Sequence, residues 1–460
     1  MHIAVGDKEG EYSRVVMFPD IHGSLAMFIT LLLYHKLIEY NDGLLDGMLC
    51  HAYTQYIDTG KILRSLRWIA RRTCVVFLGD VTDSKRTSAE PGGGACTAHN
   101  TLYTLFECMR SLKRQSNGIT PSCVGKKVSV HNEVLVCDGC RLPVVWLSGD
   151  VKDASVTITA VDMFTVTFCN GAMCRRPKGS SDIVWVIGNH DLYNSVPGYY
   201  NSACAEFAPP HMCSNGVYTL SHMKKVRKAM EMMDCTPMII VTSALSKKCI
   251  IGCHGGITRK SAERISMISE MVPGKRTVFE KLQEVYRLAI FDNTRRGKMA
   301  CAALWDFDTD NDVRLPHHCR QLNNNDGNLI QADAEAIGRM LGISPLEICV
   351  LVVAHTGVSE VVIKGRGEAI CSTENSQVVR TSCLCNLDAD RPQTVHLDTL
   401  ASPAFDHAIA RDFVVLSSME VVQARGDASV RVNQFQKHPS FSGAVYKHKQ
   451  NISMLMQRIL

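Results

Sequence analysis

The chain has 460 residues, 46% of them hydrophobic, which is enough to bury a sizeable core in one or more globular domains. Its 50 Lys and Arg nearly balance its 45 Asp and Glu, and a net charge of +5 does not indicate a nucleic-acid or anionic-membrane partner. Residues 1–12 lack the apolar segment of a signal peptide, and no uninterrupted apolar run reaches the roughly 18 residues of a bilayer-spanning helix.

The distribution of cysteines indicates the redox environment of the protein. Twenty cysteines are scattered along the chain, and several lie inside apolar runs, as do Cys74, Cys249 and Cys349. Such cysteines are typical of buried free thiols in a reducing environment rather than of a disulfide framework. We therefore expect a soluble protein of the cytoplasm that interacts with neither membranes nor nucleic acids.

Five apolar runs predict strands buried on both faces of a sheet. They are Val15–Phe18, Val75–Leu78, Val184–Ile187, Cys249–Ile251 and Cys349–Val353. Each is followed closely by Asp, Asn or His, in the segments Asp20-Ile21-His22, Gly79-Asp80, Gly188-Asn189-His190-Asp191, His254-Gly255 and His355. Because open α/β sheets bind ligands at the carboxyl ends of their strands, these polar side chains should converge.

Between the strands, apolar residues at helical spacing predict helices, so the fold class is α/β. The predicted helices cover residues 24–39, 61–70, 102–112, 221–233, 277–290 and 331–341. Residues 1–430 are expected to form the main domain, and a polar C-terminal tail is expected over residues 431–460.

An insertion is expected at residues 88–180. Its segment 127–168 alternates apolar and polar residues, which indicates half-exposed antiparallel strands. We expect the insertion to be removable, because Asp83 and Asn189 on either side of it should reach the same sheet edge.

The polar segments match the chemistry of a two-metal site. Two cations held close together need a bridging carboxylate, and Asp80, which follows Gly79 at a strand end, is the natural bridge. Asp20 and His22 would complete one metal site. Asn189, His254 and His355 would complete the other.

In their order and residue types these segments, together with Cys253–Ile257, Leu304–Asp308 and Val353–His355, resemble the calcineurin-like metallophosphoesterases, specifically their phosphoprotein-phosphatase branch. The resemblance covers roughly residues 15–425. It implies a four-layer α/β/β/α sandwich of two mixed sheets and two metal ions (Mn, Fe or Zn). It also implies hydrolysis of phosphomonoesters by a metal-bridging hydroxide, with His190 as proton donor and Asp83 as its orienting carboxylate.

Two features differ from that branch. Pro19 precedes Asp20 where Gly is usual, and Ser84 follows Asp83 where an Arg that grips phosphate is usual. The candidate phosphate-binding residues are therefore Arg86, Arg314 and Arg320.

The substrate is expected to be phosphoserine or phosphothreonine in proteins. A dinucleoside polyphosphate or another small phosphoester is the alternative. A second alternative is a phosphatase-like binding scaffold with weak catalysis. The insertion at residues 88–180 is a candidate surface for a regulatory partner.

The insertion also contains a candidate zinc site. Cys137 and Cys140 have the spacing of a zinc ligand pair, and Cys169 with Cys174 would complete four thiolates. The alternative for Cys137–Cys140 is a hairpin turn at Asp138-Gly139.

Overall fold

A computed structural model of the chain describes residues 1–6, 11–40, 58–82, 94–117, 119, 123–131, 133–137, 140–161, 165–175, 181–197, 213–214, 217–274, 276–308, 314–319, 331–355, 362–364, 370–374, 378–385, 393–397, 415–423 and 428–437. Among these residues the chain forms α-helices and several β-sheets, so it belongs to the α/β class, as the sequence predicts.

The described strands, in chain order, are β1 (His2–Val5), β2 (Arg14–Phe18), β3 (Ile38–Tyr40), β4 (Leu66–Trp68), β5 (Thr73–Phe77), β6 (Lys127–His131), β7 (Val134–Cys137), β8 (Cys140–Pro143), β9 (Trp146–Ser148), β10 (Ala154–Val161), β11 (Thr165–Phe168), β12 (Met173–Arg175), β13 (Asp182–Trp185), β14 (Cys213–Ser214), β15 (Val217–Tyr218), β16 (Met238–Ser243), β17 (Cys249–Cys253), β18 (Ile348–Val353), β19 (Val362–Lys364), β20 (Ile370–Glu374), β21 (Val378–Cys385), β22 (Gln393–His396), β23 (Val415–Gln423) and β24 (Ala428–Lys437).

The described helices are α1 (Leu25–Tyr34), α2 (Thr59–Ser65), α3 (Gly94–Asn117), α4 (Asn189–Ser195), α5 (Leu220–Met232), α6 (Arg259–Ser269), α7 (Val278–Phe291), α8 (Arg295–Asp308) and α9 (Gln331–Leu341). Hydroxyl side chains begin several of them: Ser24 caps α1, Thr219 caps α5 and Thr277 caps α7, each accepting a main-chain N–H of the first turn. These bonds satisfy donors that have no partner within the helix.

Three sheets contain most of the strands. Sheet A has the order β1-β16-β17-β18-β22-β19, and sheet B has the order β13-β5-β2-β23-β24-β21-β20. Both mix parallel and antiparallel pairs; β13, β5 and β2 are parallel neighbours, as are β17 and β18. Sheet C, formed within the predicted insertion, is antiparallel with the order β8-β7-β6-β10-β11-β12-β9.

The described buried residues form three apolar cores. The first, which we call the sheet core, takes its residues from sheets A and B and from the positions next to their strands. The second, which we call the helix core, combines the other strand faces with the helices. Alternate residues of β2 lie in different cores: Val15 and Met17 in the sheet core, and Val16 and Phe18 in the helix core. Sheet C has a third core of its own, which we call the insert core.

The first predicted helix was too long. Helix α1 ends at Tyr34, because Lys36 adopts a left-handed conformation with φ of 53° and the N–H groups of Lys36 and Leu37 bond back to Leu33 and Leu32. This is the Schellman pattern of helix termination. The next residues form β3, which pairs with β4, so the predicted helix over 61–70 also ends early, at Ser65.

Two further boundaries differ from the sequence pattern. Helix α3 lies within the predicted insertion, yet Leu105, Met109 and Leu112 on this helix pack in the helix core of the main body. Strand β24 pairs with β21 and β23 as far as Lys437, so the first seven residues of the predicted tail lie in sheet B. Helices α4, α6 and α8 are not among the predicted helices.

Candidate metal centre

The candidate ligands lie where two groups of parallel strands end. Asp20, Asp80 and Asn189 follow the neighbouring strands β2, β5 and β13 of sheet B, and His254 and His355 follow the neighbours β17 and β18 of sheet A. The predicted strands are present, and within each sheet the polar side chains lie together because they follow parallel neighbours.

Two groups of side chains could each hold a metal ion. One comprises Asp20, His22 and Asp80, and the other Asp80, His254 and His355; within each group the ligand atoms lie within 4.8 Å of one another. Asp80 belongs to both groups. It therefore occupies the position that a carboxylate bridging two ions must have.

The contacts of His254 fit a cation. Its Nδ1 lies 2.8 Å from the carbonyl oxygen of Leu78, which can only accept, so Nδ1 carries a proton. In a neutral ring Nε2 then presents a lone pair, and it faces Asn189 Oδ1 at 3.1 Å and Asp80 Oδ2 at 3.2 Å. Three acceptors facing one another require a positive charge between them, either a proton on Nε2 or a metal ion.

Charge at the centre shifts the ionisation of its members. Burial by itself raises the pKa of Asp80, but His254, His190 and His22 outweigh burial, and the pKa lies well below its ordinary value. Burial likewise lowers the pKa of His254, but Asp80 and Asp20 outweigh it and the pKa lies well above its ordinary value. The charges of Asp80 and His254 thus favour each other, and a metal ion bound at the centre would take the place of a proton on His254.

The backbone at the centre is tightly constrained. Asp80, His22 and His355 all have positive φ, at 43°, 44° and 63°, a conformation that is uncommon for residues other than glycine and is found at functional sites. A Cβ on Gly79 would lie 2.5 Å from His254 Nδ1, and one on Gly188 would overlap Asp80 Oδ1. Glycine is therefore required for this close approach.

His190 lies beside the candidate ligands. Its main-chain N–H donates to Asp80 Oδ1 at 2.9 Å, its Nε2 lies 3.9 Å from Asp80 Oδ2, and its ring stands edge-on to His22 with centroids 5.3 Å apart. An imidazole at this position can exchange a proton with a group bound at the centre.

Asp191, to which the sequence pattern assigned no role, joins three segments of the site. Its carboxylate accepts hydrogen bonds from Thr82 N and Oγ1, from Trp185 Nε1 and from Gly188 N, at 2.8–3.0 Å. Burial, followed by the charge of Asp80, raises the pKa of Asp191 to about 6. Only its position within the Gly188–Asp191 segment marked it in the sequence.

Two rings that the sequence did not single out, those of His318 and Tyr193, lie next to the candidate site residues His355 and His190. His318 is half-buried and lies 5.5 Å from His355 and 6.3 Å from Tyr193 between ring centroids. Its Nε2 is 3.2 Å from Arg314 Nη1, so this candidate arginine is brought near the centre. The His317-His318 pair, a few residues after Arg314, was the available sequence signal.

Three other predicted site residues, Asp83, Arg86 and Arg320, lie outside the described residues.

The cysteine side chains described at the predicted zinc site in the insertion differ from one another in exposure and in their contacts. Cys137 pairs with Cys140 across the β7–β8 hairpin, as expected for a two-residue turn. Cys137 Sγ lies 3.9 Å from Cys123 Sγ, while Cys169 is exposed and Cys174 buried. The side chain of Cys140 is outside the described part of the chain, and zinc binding stays a prediction.

Elsewhere, Cys74, Cys249 and Cys349 are buried free thiols, as predicted. Among the helices described, none has the length and apolarity needed to cross a bilayer.

Comparisons with known proteins add little to this geometry. Neither a protein-family model nor a curated protein matches the chain. A solved structure that matches is the crystal structure of the phosphatase domain from the Legionella effector WipB, at 8% sequence identity, covering 66% of this chain and 96% of that chain with a TM-score of 0.31. At this TM-score and sequence identity, the match establishes neither a shared fold nor a shared activity.

Proposed function

We propose that this chain is a metal-dependent phosphatase that hydrolyses phosphomonoesters at the centre around Asp80. The observation that carries the proposal is the shared position of Asp80 in two adjoining Asp/His groups. A single metal site or a structural cluster needs no shared carboxylate, whereas a two-metal hydrolytic site does.

We propose two cations, Mn, Fe or Zn, at this centre. Asp20, His22 and Asp80 would hold one, and Asp80, Asn189, His254 and His355 would hold the other. These are the carboxylate, amide and imidazole donors that such ions prefer in proteins. When bound, the ions would supply an activated water at neutral pH and positive charge against the phosphoryl oxygens.

In this proposal His190 gives a proton to the leaving oxygen. Its ring lies next to the candidate ligands, and its main chain is held by Asp80, so the imidazole has a defined place beside a bound ester. Asp83 is proposed as the carboxylate that orients it. A general acid is needed most when the leaving group is a poor one, such as the alkoxide of serine or threonine.

The substrate we propose is phosphoserine or phosphothreonine in proteins. Arg314 is the described candidate for gripping phosphate, since it contacts the half-buried His318, whose ring packs against His355. Arg86 and Arg320 remain proposed as further cations. Arginine suits this role because its guanidinium can bind two phosphoryl oxygens at once.

We further propose that sheets A and B face each other, with helices outside, as a four-layer α/β/β/α sandwich. The sheet core supports this layering, because its residues come from both sheets, while the alternate strand residues pack against helices. The centre would then lie along one edge of the sandwich.

The decisive experiment is turnover of 4-nitrophenyl phosphate by the full chain with added Mn²⁺, together with metal content by elemental analysis. We expect turnover that EDTA abolishes and Mn²⁺ restores. A panel of phosphopeptides and diadenosine polyphosphates would then identify the substrate class. Bound metal without turnover of any of these esters would contradict the proposal and favour a binding scaffold.

A further inference from the structure

Helix α4 carries both Asn189 and His190, and it is too short to be stable alone. It has seven residues, all buried, and isolated helices of this length are not stable in water. Its position must therefore be set by contacts with other elements. At its C-terminal end, Arg227 Nε of α5 donates to the carbonyl oxygen of Ser195 at 2.8 Å.

A chain of hydrogen bonds reaches the main chain of His190 from two distant helices. Asn194 Nδ2 donates to the carbonyl oxygen of His190 at 2.8 Å. Asn194 Oδ1 lies 2.7 Å from His222 Nε2 on α5, and His222 Nδ1 lies 3.0 Å from the hydroxyl of Tyr103 on α3. We call Tyr103, His222 and Asn194 the positioning chain.

The direction of each bond in the positioning chain is fixed by chemistry. A carbonyl oxygen only accepts, so the NH₂ group of Asn194 must face His190 and its Oδ1 must face His222. His222 Nε2 therefore carries the proton that Asn194 accepts. In the neutral ring Nδ1 then accepts from the hydroxyl of Tyr103.

The environment keeps Tyr103 in the donor role. Burial raises the pKa of Tyr103 to about 12, so the phenol keeps its proton at neutral pH. Lys225 Nζ lies 3.9 Å from the centroid of the Tyr103 ring and holds that ring from the surface side. His222 and Asn194 are buried, so water does not compete for their bonds.

We infer that Tyr103, His222 and Asn194 are positioning residues that set where the His190 imidazole points. Both polar groups of the His190 main chain are bonded: its N–H donates to Asp80, and its carbonyl accepts from Asn194 of the same helix. Helix α4 is anchored to α5 through the bond between Asn194 and His222. Loss of that bond lets α4 shift relative to Asp80, which displaces the proton donor. The inference rests on the proposed function, in which His190 protonates the leaving oxygen.

The test compares two substrates whose need for a proton donor differs. The kcat of Asn194→Ala is measured on 4-nitrophenyl phosphate, which has a good leaving group, and on a phosphoserine peptide, which has a poor one. A displaced general acid should lower kcat on the peptide by about 10-fold to 100-fold and leave the aryl ester nearly unchanged. Metal content should stay at the wild-type value.

Milder changes keep the test valid should Asn194→Ala fold poorly. Tyr103→Phe removes only the hydroxyl, and His222→Gln keeps an N–H donor at the position of Nε2 whereas His222→Ala does not. We expect the peptide-selective loss in Tyr103→Phe and His222→Ala, with partial recovery in His222→Gln.

Ser418→Ala is the matched control, because Ser418 is the buried partner of another buried imidazole, with His35 Nε2 2.8 Å from its Oγ. It should affect neither substrate selectively. An active wild type whose Asn194→Ala and Tyr103→Phe variants lose nothing, or lose equally on both substrates, overturns the inference alone. A wild type that hydrolyses neither ester overturns the proposed function and the inference with it.

Discussion

The strands of sheets A and B and those of sheet C are buried in different ways. Every residue of β5 and β18 is buried, whereas β6 and β10 contain buried, half-buried and exposed positions. The candidate metal ligands all follow strands of sheets A and B, while sheet C packs around its separate insert core.

This difference explains where the chemistry lies. A strand covered on both faces has no place for a charged side chain along its length, because burying an unpaired charge costs several kcal/mol. Polar residues are therefore confined to its ends, where neighbouring parallel strands bring them together. The described strands of sheet C have exposed positions that accept polar residues along their length, so these residues are not confined to the strand ends.

The largest effect should come from Asp80→Asn, and the same change at Asp153, just before strand β10 of sheet C, provides the comparison. A neutral amide cannot bridge two cations as a carboxylate does, so we expect loss of metal and a fall in kcat of at least about 10³-fold. Elemental analysis and 4-nitrophenyl phosphate turnover measure both. Asp153→Asn is the matched control, because Asp153 has φ of 44° against 43° for Asp80. Unchanged metal content in Asp80→Asn would remove Asp80 from the bridging position.

A smaller loss should follow from His190→Asn. We expect metal to remain bound while kcat falls by roughly 10²–10⁴-fold on an ester with a poor leaving group, which is the usual contribution of a general acid. His131→Asn, at an exposed histidine of β6 that lies 3.3 Å from Asp153, should change nothing. Near-wild-type turnover of phosphoserine by His190→Asn would show that another group donates the proton.

A stability test separates the cores. Leu351 in β18 and Leu135 in β7 are both fully buried, the first in the helix core and the second in the insert core. Leu→Ala at either site should cost about 2–5 kcal/mol locally. We expect Leu351→Ala to lower the midpoint of inactivation by urea, and Leu135→Ala to leave that midpoint at the wild-type value. Equal shifts would mean that the insert core and the body unfold together.

The ends of the buried strands could be predicted from sequence because their signal is local. Runs such as Val75–Leu78 and Cys349–Val353 are continuous, rich in β-branched residues and soon followed by Gly or a polar residue. Each run contributes to a strand in the structure. The convergence of Asp20 and Asp80 then follows from the parallel pairing of β2 with β5, whereas the approach of His254 depends on the packing of residues from both sheets in the sheet core.

Features that depend on distant parts of the chain could not be predicted in this way. The end of α1 depends on Lys36 in a left-handed turn and on β3 pairing with β4, about thirty residues away. The apolar stripe of α3 predicted a helix but not the core that it joins. Likewise, the proximity of His318 to His355 depends on a loop that packs against the centre from elsewhere in the chain.

The smallest effect should come from removing sheet C, provided that the cut spares α3. Lys113 lies one turn before the end of α3, and its Nζ donates to the carbonyl of Ile183 at 2.7 Å and to Asp234 at 2.9 Å. The end of α3 therefore lies near the start of β13.

Replacing residues 118–180 with a short Gly/Ser linker should thus be tolerated, since the cost of loop closure grows only slowly with length. Turnover of 4-nitrophenyl phosphate and metal content should match the wild type. The wider cut predicted from the sequence, at residues 88–180, also takes α3 and its residues Leu105, Met109 and Leu112 out of the helix core, so we expect that protein not to fold. Circular dichroism and thermal unfolding of the two deletions measure this contrast. If the shorter deletion folds cooperatively yet binds no metal, sheet C helps to build the centre, and the separation of chemistry from the insertion does not hold.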